Sequence, residues 1–230
     1  MIFVISFVSI TMNCDYAFAQ RSTSIQGQQT NFNKFANNVD RTKQGEIKNF
    51  VGEYYLSEKW EDGVIYANSN IKIENVKIRY CVFNQEFHFI NKNDTMAIQK
   101  PLLIDSIKYN QNKFIYSKFM LDKRISASYF ELLNTNEIKL LRRYESKFIK
   151  GKKNVSSFEE PTEDKFIVNT KLYLQRNGEP AVLLPKRKSK FLEIIGTKKA
   201  DVDRFIKANK LKLSKVDDIQ RILKYYSSIY

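Results

Sequence analysis

The sequence predicts an α+β protein in which an antiparallel β meander, curled into a sandwich or a partial barrel, precedes three short C-terminal helices. Apolar and polar residues alternate over short segments in the middle of the chain, and asparagine-rich turns separate these segments. After Pro185 the apolar residues recur with the period of a helix. Strands do not alternate with helices along the chain, so the pattern argues against a doubly wound nucleotide-binding fold.

The chain begins with a pattern typical of a secretory signal peptide. An apolar segment over residues 2–12 precedes small residues at the two key positions of a cleavage site between Ala19 and Gln20. A helix that spans a bilayer needs about 20 apolar residues, so this segment is too short for an anchor. Residues 1–19 are therefore predicted to be removed on export, and the mature chain is predicted to have no transmembrane helix. No Lys or Arg precedes the apolar segment, which leaves the true start codon open.

Cysteine usage argues against a disulfide framework. Cys14 lies behind the apolar segment and raises lipidation as an alternative, but Asn13 stands where that chemistry needs a small residue. Cleavage after Ala19 leaves Cys81 as the only cysteine, whereas exported domains that depend on disulfides carry an even number. The mature protein is therefore expected to depend on its hydrophobic core.

Composition divides the rest of the chain into three parts. Residues 20–49 are rich in Gln, Asn, Thr and Ser without a hydrophobic period, which predicts a flexible polar linker. Residues 50–184 alternate as an antiparallel β domain, and residues 185–230 are predicted to form a basic helical C-terminal subdomain packed on the sheet. The chain is 43% hydrophobic, with 17 Phe and 13 Tyr, which is ample for a core.

The strands are predicted from this alternation and from the turn residues between them. Residues 76–90 alternate on either side of a tight turn at residues 84–85. Residues 62–63 (Asp-Gly) are interpreted as a hairpin turn after Trp60. Three more hairpins are predicted, with turns at residues 110–112, 134–136 and 177–178.

The C-terminal part has three amphipathic segments, the first of which can end at Gly196. Thr197 is the predicted N-cap of the second helix, and Ser214 opens a capping-box pattern before the third. Apolar residues at helical spacing mark the three buried stripes: Phe191, Leu192, Ile194 and Ile195; Val202, Phe205 and Ile206; and Val216, Ile219, Ile222, Leu223 and Tyr226.

A resemblance to known sequences is carried by three segments: residues 55–63 (YLSEKWEDG), 73–80 (IENVKIRY) and 223–226 (LKYY). With these segments the chain resembles a group of uncharacterised exported proteins from Bacteroidota-type bacteria, over residues 50–230. No activity is established for that group. The resemblance therefore implies an exported protein of this architecture and implies no particular chemistry.

The charge of the chain indicates an anionic partner. The formal net charge is +14, which creates a field that attracts anions. An anionic envelope component or an acidic protein is the expected partner, and nucleic acid is disfavoured because the chain is predicted to be exported. The alternative is that the lysines only keep the protein soluble. Residues 185–230 hold 13 Lys and Arg against 5 Asp and Glu, and six of them form the predicted anion-binding surface: Lys186, Arg187, Lys188, Lys190, Lys198 and Lys199.

Residues that could carry catalysis or bind a metal are few. His88 is the only histidine and is expected to face solvent, on the side of its strand opposite Phe87 and Phe89. One histidine and Cys81 cannot complete a zinc site, and a nucleophilic pair of these two residues is a minor alternative. No catalytic residue, metal site or cofactor is therefore predicted. Four carboxylates in a predicted solvated loop are the remaining candidates for hydrolysis: Glu159, Glu160, Glu163 and Asp164.

These features predict an exported, non-catalytic binding or interaction protein of the periplasm or cell envelope, which contacts anionic surfaces through its basic C-terminal region. Secretion beyond the envelope is left open, as are the ligand and the oligomeric state. The alternative is a hydrolase that acts on envelope or dietary polymers through carboxylates. A deep cleft that converges on Asp or Glu side chains would favour that alternative.

Overall fold

The computed structural model describes residues 36–38, 51–68, 71–92, 94–152 and 162–229. The predicted signal peptide, its cleavage site, most of the predicted linker, and Glu159 and Glu160 lie outside the described residues. Within them the chain forms twelve strands: β1 (Ala36–Asn38), β2 (Val51–Gly52), β3 (Glu61–Ala67), β4 (Ile71–Cys81), β5 (Glu86–Asn91), β6 (Asp94–Ile98), β7 (Ile104–Tyr109), β8 (Asn112–Leu121), β9 (Arg124–Leu132), β10 (Ile138–Ile149), β11 (Lys165–Arg176) and β12 (Val182–Leu183).

All twelve strands belong to one sheet, with the order β1-β6-β5-β4-β3-β7-β8-β9-β10-β11-β12. Neighbours in this order are antiparallel, and β2 adds a short parallel pairing to β11. Most neighbouring strands are also consecutive in sequence, as in a meander, and the sheet curls into a half-barrel. The predicted α+β class with an antiparallel curled sheet is confirmed. Ala36–Asn38, inside the predicted linker, forms β1 against β6.

The inside of the half-barrel is packed with aromatic rings. Alternate residues of β4 and β5 point inward, so that Tyr80, Phe87 and Phe89 are fully buried together with Phe114 of β8. Phe87 makes edge-to-face contacts with Phe114 at 5.2 Å and with Tyr129 at 4.9 Å between ring centroids. Each such pair adds about 0.5–1.5 kcal/mol beyond the apolar area it buries.

The second half of the sheet closes on itself. Ala181, which directly precedes β12, donates its N–H to the carbonyl oxygen of Lys118 at 2.9 Å and accepts the N–H of Met120 at 2.8 Å. Strands β8 to β11 and the 181–183 segment therefore form a closed ring. Its interior holds a separate apolar cluster, with Phe119 and Tyr173 in edge-to-face contact.

Most of the predicted turns are confirmed, and one is wrong. Gln85, Asn110 and Gly178 have φ of +58°, +46° and +78° in turns that join consecutive strands, as the sequence indicates. Residues 62–63 do not form a turn, because both lie inside β3, where the register shifts by a bulge after Gly63. Glycine is needed there because a Cβ would meet the carbonyl oxygen of Lys108 on β7 at 2.8 Å.

Helical structure follows the sheet, as predicted, but the predicted count of three separate short helices is not confirmed. Its stretches are α1 (Lys188–Ile195), α2 (Lys199–Ala208) and α3 (Val216–Ser228). A 3-10 turn, Gly196–Lys198, joins α1 to α2 without a loop, so these two form one bent helical segment. The predicted caps at Thr197 and Ser214 are wrong, because Thr197 lies in that turn and the residue before α3 is Lys215. The apolar stripes of the helices pack against Ile138 and Leu174 on the outside of the sheet.

The helices of the described residues are all too short or too polar to cross a membrane. The longest of them, α3, has 13 residues and carries charged side chains in its first turn, Asp217 and Asp218. A spanning helix needs about 20 apolar residues.

Candidate ligand-binding groove

An opening in the sheet positions a groove that is a candidate ligand site. Strand β7 pairs with β8 only as far as Phe114, whose partner is Ile107. Farther along the same edge of β8, the next hydrogen bond joins the carbonyl oxygen of Lys118 to the N–H of Ala181. Among the described residues, no strand pairs with this edge at Tyr116, which lies between the two ladders. A groove of about 900 Å³ lies along this interval of β8.

Two segments from distant parts of the sequence form the walls of the groove. One wall is a 3-10 turn, Pro101–Leu103, that leads from β6 into β7. Proline has φ fixed near −65°, which suits the first position of such a turn. Leu102 projects from it with 77% of its surface exposed. The other wall is the turn between β11 and β12, Gly178 to Pro180. Ala127 of β9 contributes a small side chain to the lining.

A network of hydrogen bonds fixes the second wall. The side-chain Nε2 of Gln175 on β11 donates to Ser117 Oγ on β8 at 2.8 Å and to the carbonyl oxygen of Glu179 at 2.9 Å. The backbone N–H of Glu179 donates to the carbonyl oxygen of Arg176, which closes the turn. The groove is thus held open by the sheet rather than by a loop alone, which favours a preformed site.

The polar side chains of the groove carry more positive than negative charge. Lys100 and Lys118 line it together with one carboxylate, Glu179. Both lysines are exposed, and in the described part of the chain neither has an ion-pair partner within 4.0 Å. The rest of the lining is mainly apolar, with Leu102 and Tyr116 contributing the largest side chains. The groove can therefore bind an apolar group and place a charged group against lysine.

The six predicted anion-binding residues lie on and around α1, and none of them lines this groove. Lys188 Nζ is 2.7 Å from Asp203 of α2, and Lys190 Nζ is 3.0 Å from Glu193. The pKa of the Asp203 carboxyl is lowered by its hydrogen bond to Lys188 and a second one to Lys207. These two positive charges are thus partly balanced by neighbouring carboxylates.

The other four predicted residues form two pairs at opposite ends of α1. Lys186 and Arg187 precede the helix, whereas Lys198 and Lys199 follow it. A helix of 8 residues is about 12 Å long, so the two pairs are separated by roughly that length. Among the described residues, these four side chains have no acidic partner within 4.0 Å.

His88 is buried, and the prediction that it faces solvent is wrong. It does lie opposite Phe87 and Phe89, but it is fully inaccessible. The chain before β3 folds over this face of β4 and β5, and the ring of Tyr55 contacts the imidazole at 5.9 Å between centroids. Arg79 of β4 is paired in register with His88, and its guanidinium carbon lies over the Tyr55 ring, 3.7 Å from the ring centroid. A segment more than thirty residues upstream thus decides the burial of this histidine.

The remaining catalytic candidates do not form a site in the described residues. Cys81 is buried, and this burial raises the pKa of its thiol, which disfavours the reactive thiolate. Asp164 accepts a hydrogen bond from the backbone N–H of Gly151 at 2.7 Å, a structural role. Glu163 is exposed. No group of three metal-binding side chains is found within the described ranges.

Comparisons with known proteins give no match: no family model, no curated protein and no solved structure matches this chain. Sequence reasoning did not find the groove, although it contains one local signal, the pair of leucines after Pro101 in a stretch without alternation. Two consecutive apolar residues in a turn are unusual, because turns are normally polar. The function must therefore be inferred from the geometry of the groove.

Proposed function

We propose that this protein is an exported, non-catalytic binding protein of the cell envelope and that its ligand occupies the groove between residues 99–103 and the β11–β12 turn. The observation that carries the proposal is a groove of about 900 Å³ with mainly apolar walls, a size typical of small-molecule sites. Export is supported by the signal-peptide pattern of residues 1–19.

The composition of the groove favours binding over the alternative hydrolase. Hydrolysis of a polysaccharide normally uses two carboxyl groups on opposite sides of the scissile bond. Among the described residues that line the groove, Glu179 is the one carboxylate. It lies in a turn, whereas catalytic groups are normally held on rigid elements by surrounding contacts.

Filling the groove is expected to weaken the binding of an apolar probe. Nile red, which is neutral and fluoresces in apolar surroundings, should bind the wild-type chain. Ala127→Phe places a ring in the groove and should weaken binding by about tenfold, equivalent to about 1.4 kcal/mol. The matched control is Ile125→Phe, on the same face of β9 but outside the groove lining. Fluorescence titration of the three proteins measures the effect.

The proposal would be contradicted by two results of that titration. The first is an absence of Nile red binding to the wild-type chain. The second is binding that is equally strong in Ala127→Phe and Ile125→Phe, because the dye would then lie outside the groove, on exposed apolar surface such as that of Ile125, which is 63% exposed. Circular dichroism of each variant checks that the sheet is intact.

A second candidate function is contact with an anionic surface through the basic residues around α1, as the sequence predicts. The observation that favours it is the exposure of Lys186 and Arg187 without an acidic partner within 4.0 Å among the described residues. A basic residue near an anionic membrane contributes about 1 kcal/mol to the free energy of membrane binding at low salt. This surface and the groove could serve one protein, since they do not overlap.

Reversing the two unpaired charges is expected to weaken binding to vesicles that contain phosphatidylglycerol. The double variant Lys186→Glu, Arg187→Glu should lose at least about 30-fold in affinity at low salt, and the loss should shrink as salt screens the charges. The matched control is Lys123→Glu, Arg124→Glu, which makes the same charge change at an exposed Lys-Arg pair in the β8–β9 turn, outside the basic residues around α1. Cosedimentation measures the affinities. Equal losses in both variants, or binding that salt does not change, would contradict this candidate.

A further inference from the structure

We infer that the ligand of the groove is an amphipathic anion with a single apolar tail, with the chemistry of a fatty-acid carboxylate. The inference rests on the proposed function of the groove and adds the class of its ligand. It combines two features of the lining: apolar side chains along a groove of about 900 Å³, and two lysines that have no acidic partner within 4.0 Å among the described residues.

The apolar part of the ligand is matched by side chains along the groove. Leu102 and Leu103 form one side, and Tyr116, Ala127 and Pro180 supply apolar surface from three other segments. Leu102 is 77% exposed, and covering it would remove a large apolar surface from water. Each methylene that becomes buried is expected to strengthen binding about fourfold. Affinity should therefore rise with tail length until the groove is filled.

The charged part of the ligand is selected by Lys100 and Lys118. Lys100 directly precedes the 3-10 turn, and Lys118 stands on β8 where the ladder to Ala181 begins. In the described part of the chain neither ammonium is paired within 4.0 Å with a carboxylate, so each is available to a ligand. Glu179 opposes an anion from the β11–β12 turn. The lining therefore carries two positive charges and one negative charge, which favours a negatively charged head group.

Three probes with the same ten-carbon tail test the sign of the head group. Decanoate, decanol and decyltrimethylammonium, each below its micelle concentration, displace Nile red from the full chain. Decanoate is expected to bind at least about fivefold more tightly than the cationic probe. Each lysine forms an exposed charge pair with the carboxylate, and such a pair changes affinity about two- to fivefold. The affinity of decanol should lie between the affinities of the two charged probes. Octanoate and dodecanoate should bind more weakly and more strongly than decanoate, respectively.

Charge variants identify the residues that produce this preference. Lys118→Glu and Lys100→Glu should each lower decanoate affinity and raise that of decyltrimethylammonium. Glu179→Gln should strengthen decanoate binding about two- to fivefold. The matched control is Lys113→Glu, which makes the same charge change on the same strand outside the groove lining. It should leave both affinities unchanged.

The outcomes separate this inference from the proposed function. Equal displacement by decanoate and decyltrimethylammonium would overturn the inference and leave the groove as a binding site for neutral apolar ligands. An equal effect of Lys113→Glu and Lys118→Glu would also overturn it, because the preference would then come from the net charge of +14. Failure of Nile red itself to bind in the groove would remove the proposed function and the inference together.

Discussion

Replacing Arg142 with Met is expected to lower the free energy of unfolding by about 3–5 kcal/mol, because it leaves a buried carboxylate without its partner. Glu131 of β9 is 4% exposed. Its Oε2 atom accepts a hydrogen bond from Arg142 Nη1 at 3.0 Å and another from the hydroxyl of Tyr144 at 2.6 Å. Burial raises the pKa of Tyr144 to about 12, so its hydroxyl stays protonated and donates at neutral pH.

Urea unfolding of two further variants tests this explanation. Glu131→Leu combined with Arg142→Met removes both charges and should recover most of the loss, because replacing both partners of a buried pair by apolar residues is often neutral. Lys190→Met breaks an ion pair with Glu193 in which both side chains are more than half exposed, and it should cost under about 1 kcal/mol. If Arg142→Met lowered the free energy of unfolding as little as Lys190→Met, the buried ion pair would contribute no more to stability than an exposed one.

The β hairpins could be predicted because their signals are local. Asn110 and Gly178 lie at turns where φ is positive, and such residues tolerate that conformation in any tertiary context. The error at residues 62–63 has the same origin. Asp-Gly also suits a hairpin turn, but here Gly63 is needed for the close approach of β7, a strand some forty residues away. Only the packed sheet distinguishes the two uses of glycine.

The candidate groove could not be predicted because no local pattern describes it. Its lining comes from segments near residues 100, 117, 127 and 178, and these meet only because β7 leaves β8 after Phe114. The buried Glu131 was missed for a similar reason. A glutamate in a strand normally marks the solvent face, but this one is in register with the fully buried Phe114 of β8 and with Arg142 of β10. Its partners, Arg142 and Tyr144, lie beyond a turn.

Shortening the side chain of Gln85 is the second change that is expected to have a large effect. Its amide joins three parts of the fold that diverge at this point: Nε2 donates to the carbonyl oxygens of Val82 at 2.6 Å and Tyr144 at 2.9 Å. Its Oε1 accepts the hydroxyls of Ser128 at 2.8 Å and Tyr80 at 3.2 Å. β9 and β10 pair directly only near Leu132 and Leu141, so the glutamine bridges the gap where they separate.

Gln85→Asn is therefore expected to lower the free energy of unfolding by about 2–6 kcal/mol, since four hydrogen bonds contribute about 0.5–1.5 kcal/mol each. Asparagine tolerates the left-handed backbone at least as well as glutamine, so the backbone alone predicts no loss. Lys92→Asn is the matched control, because Lys92 is exposed with φ of +57°, and it should be neutral or slightly stabilising. If urea unfolding gave both variants the same stability, the amide would not hold the two halves of the sheet together. A loss of stability confined to Gln85→Asn would instead show that this one side chain joins the two halves of the sheet.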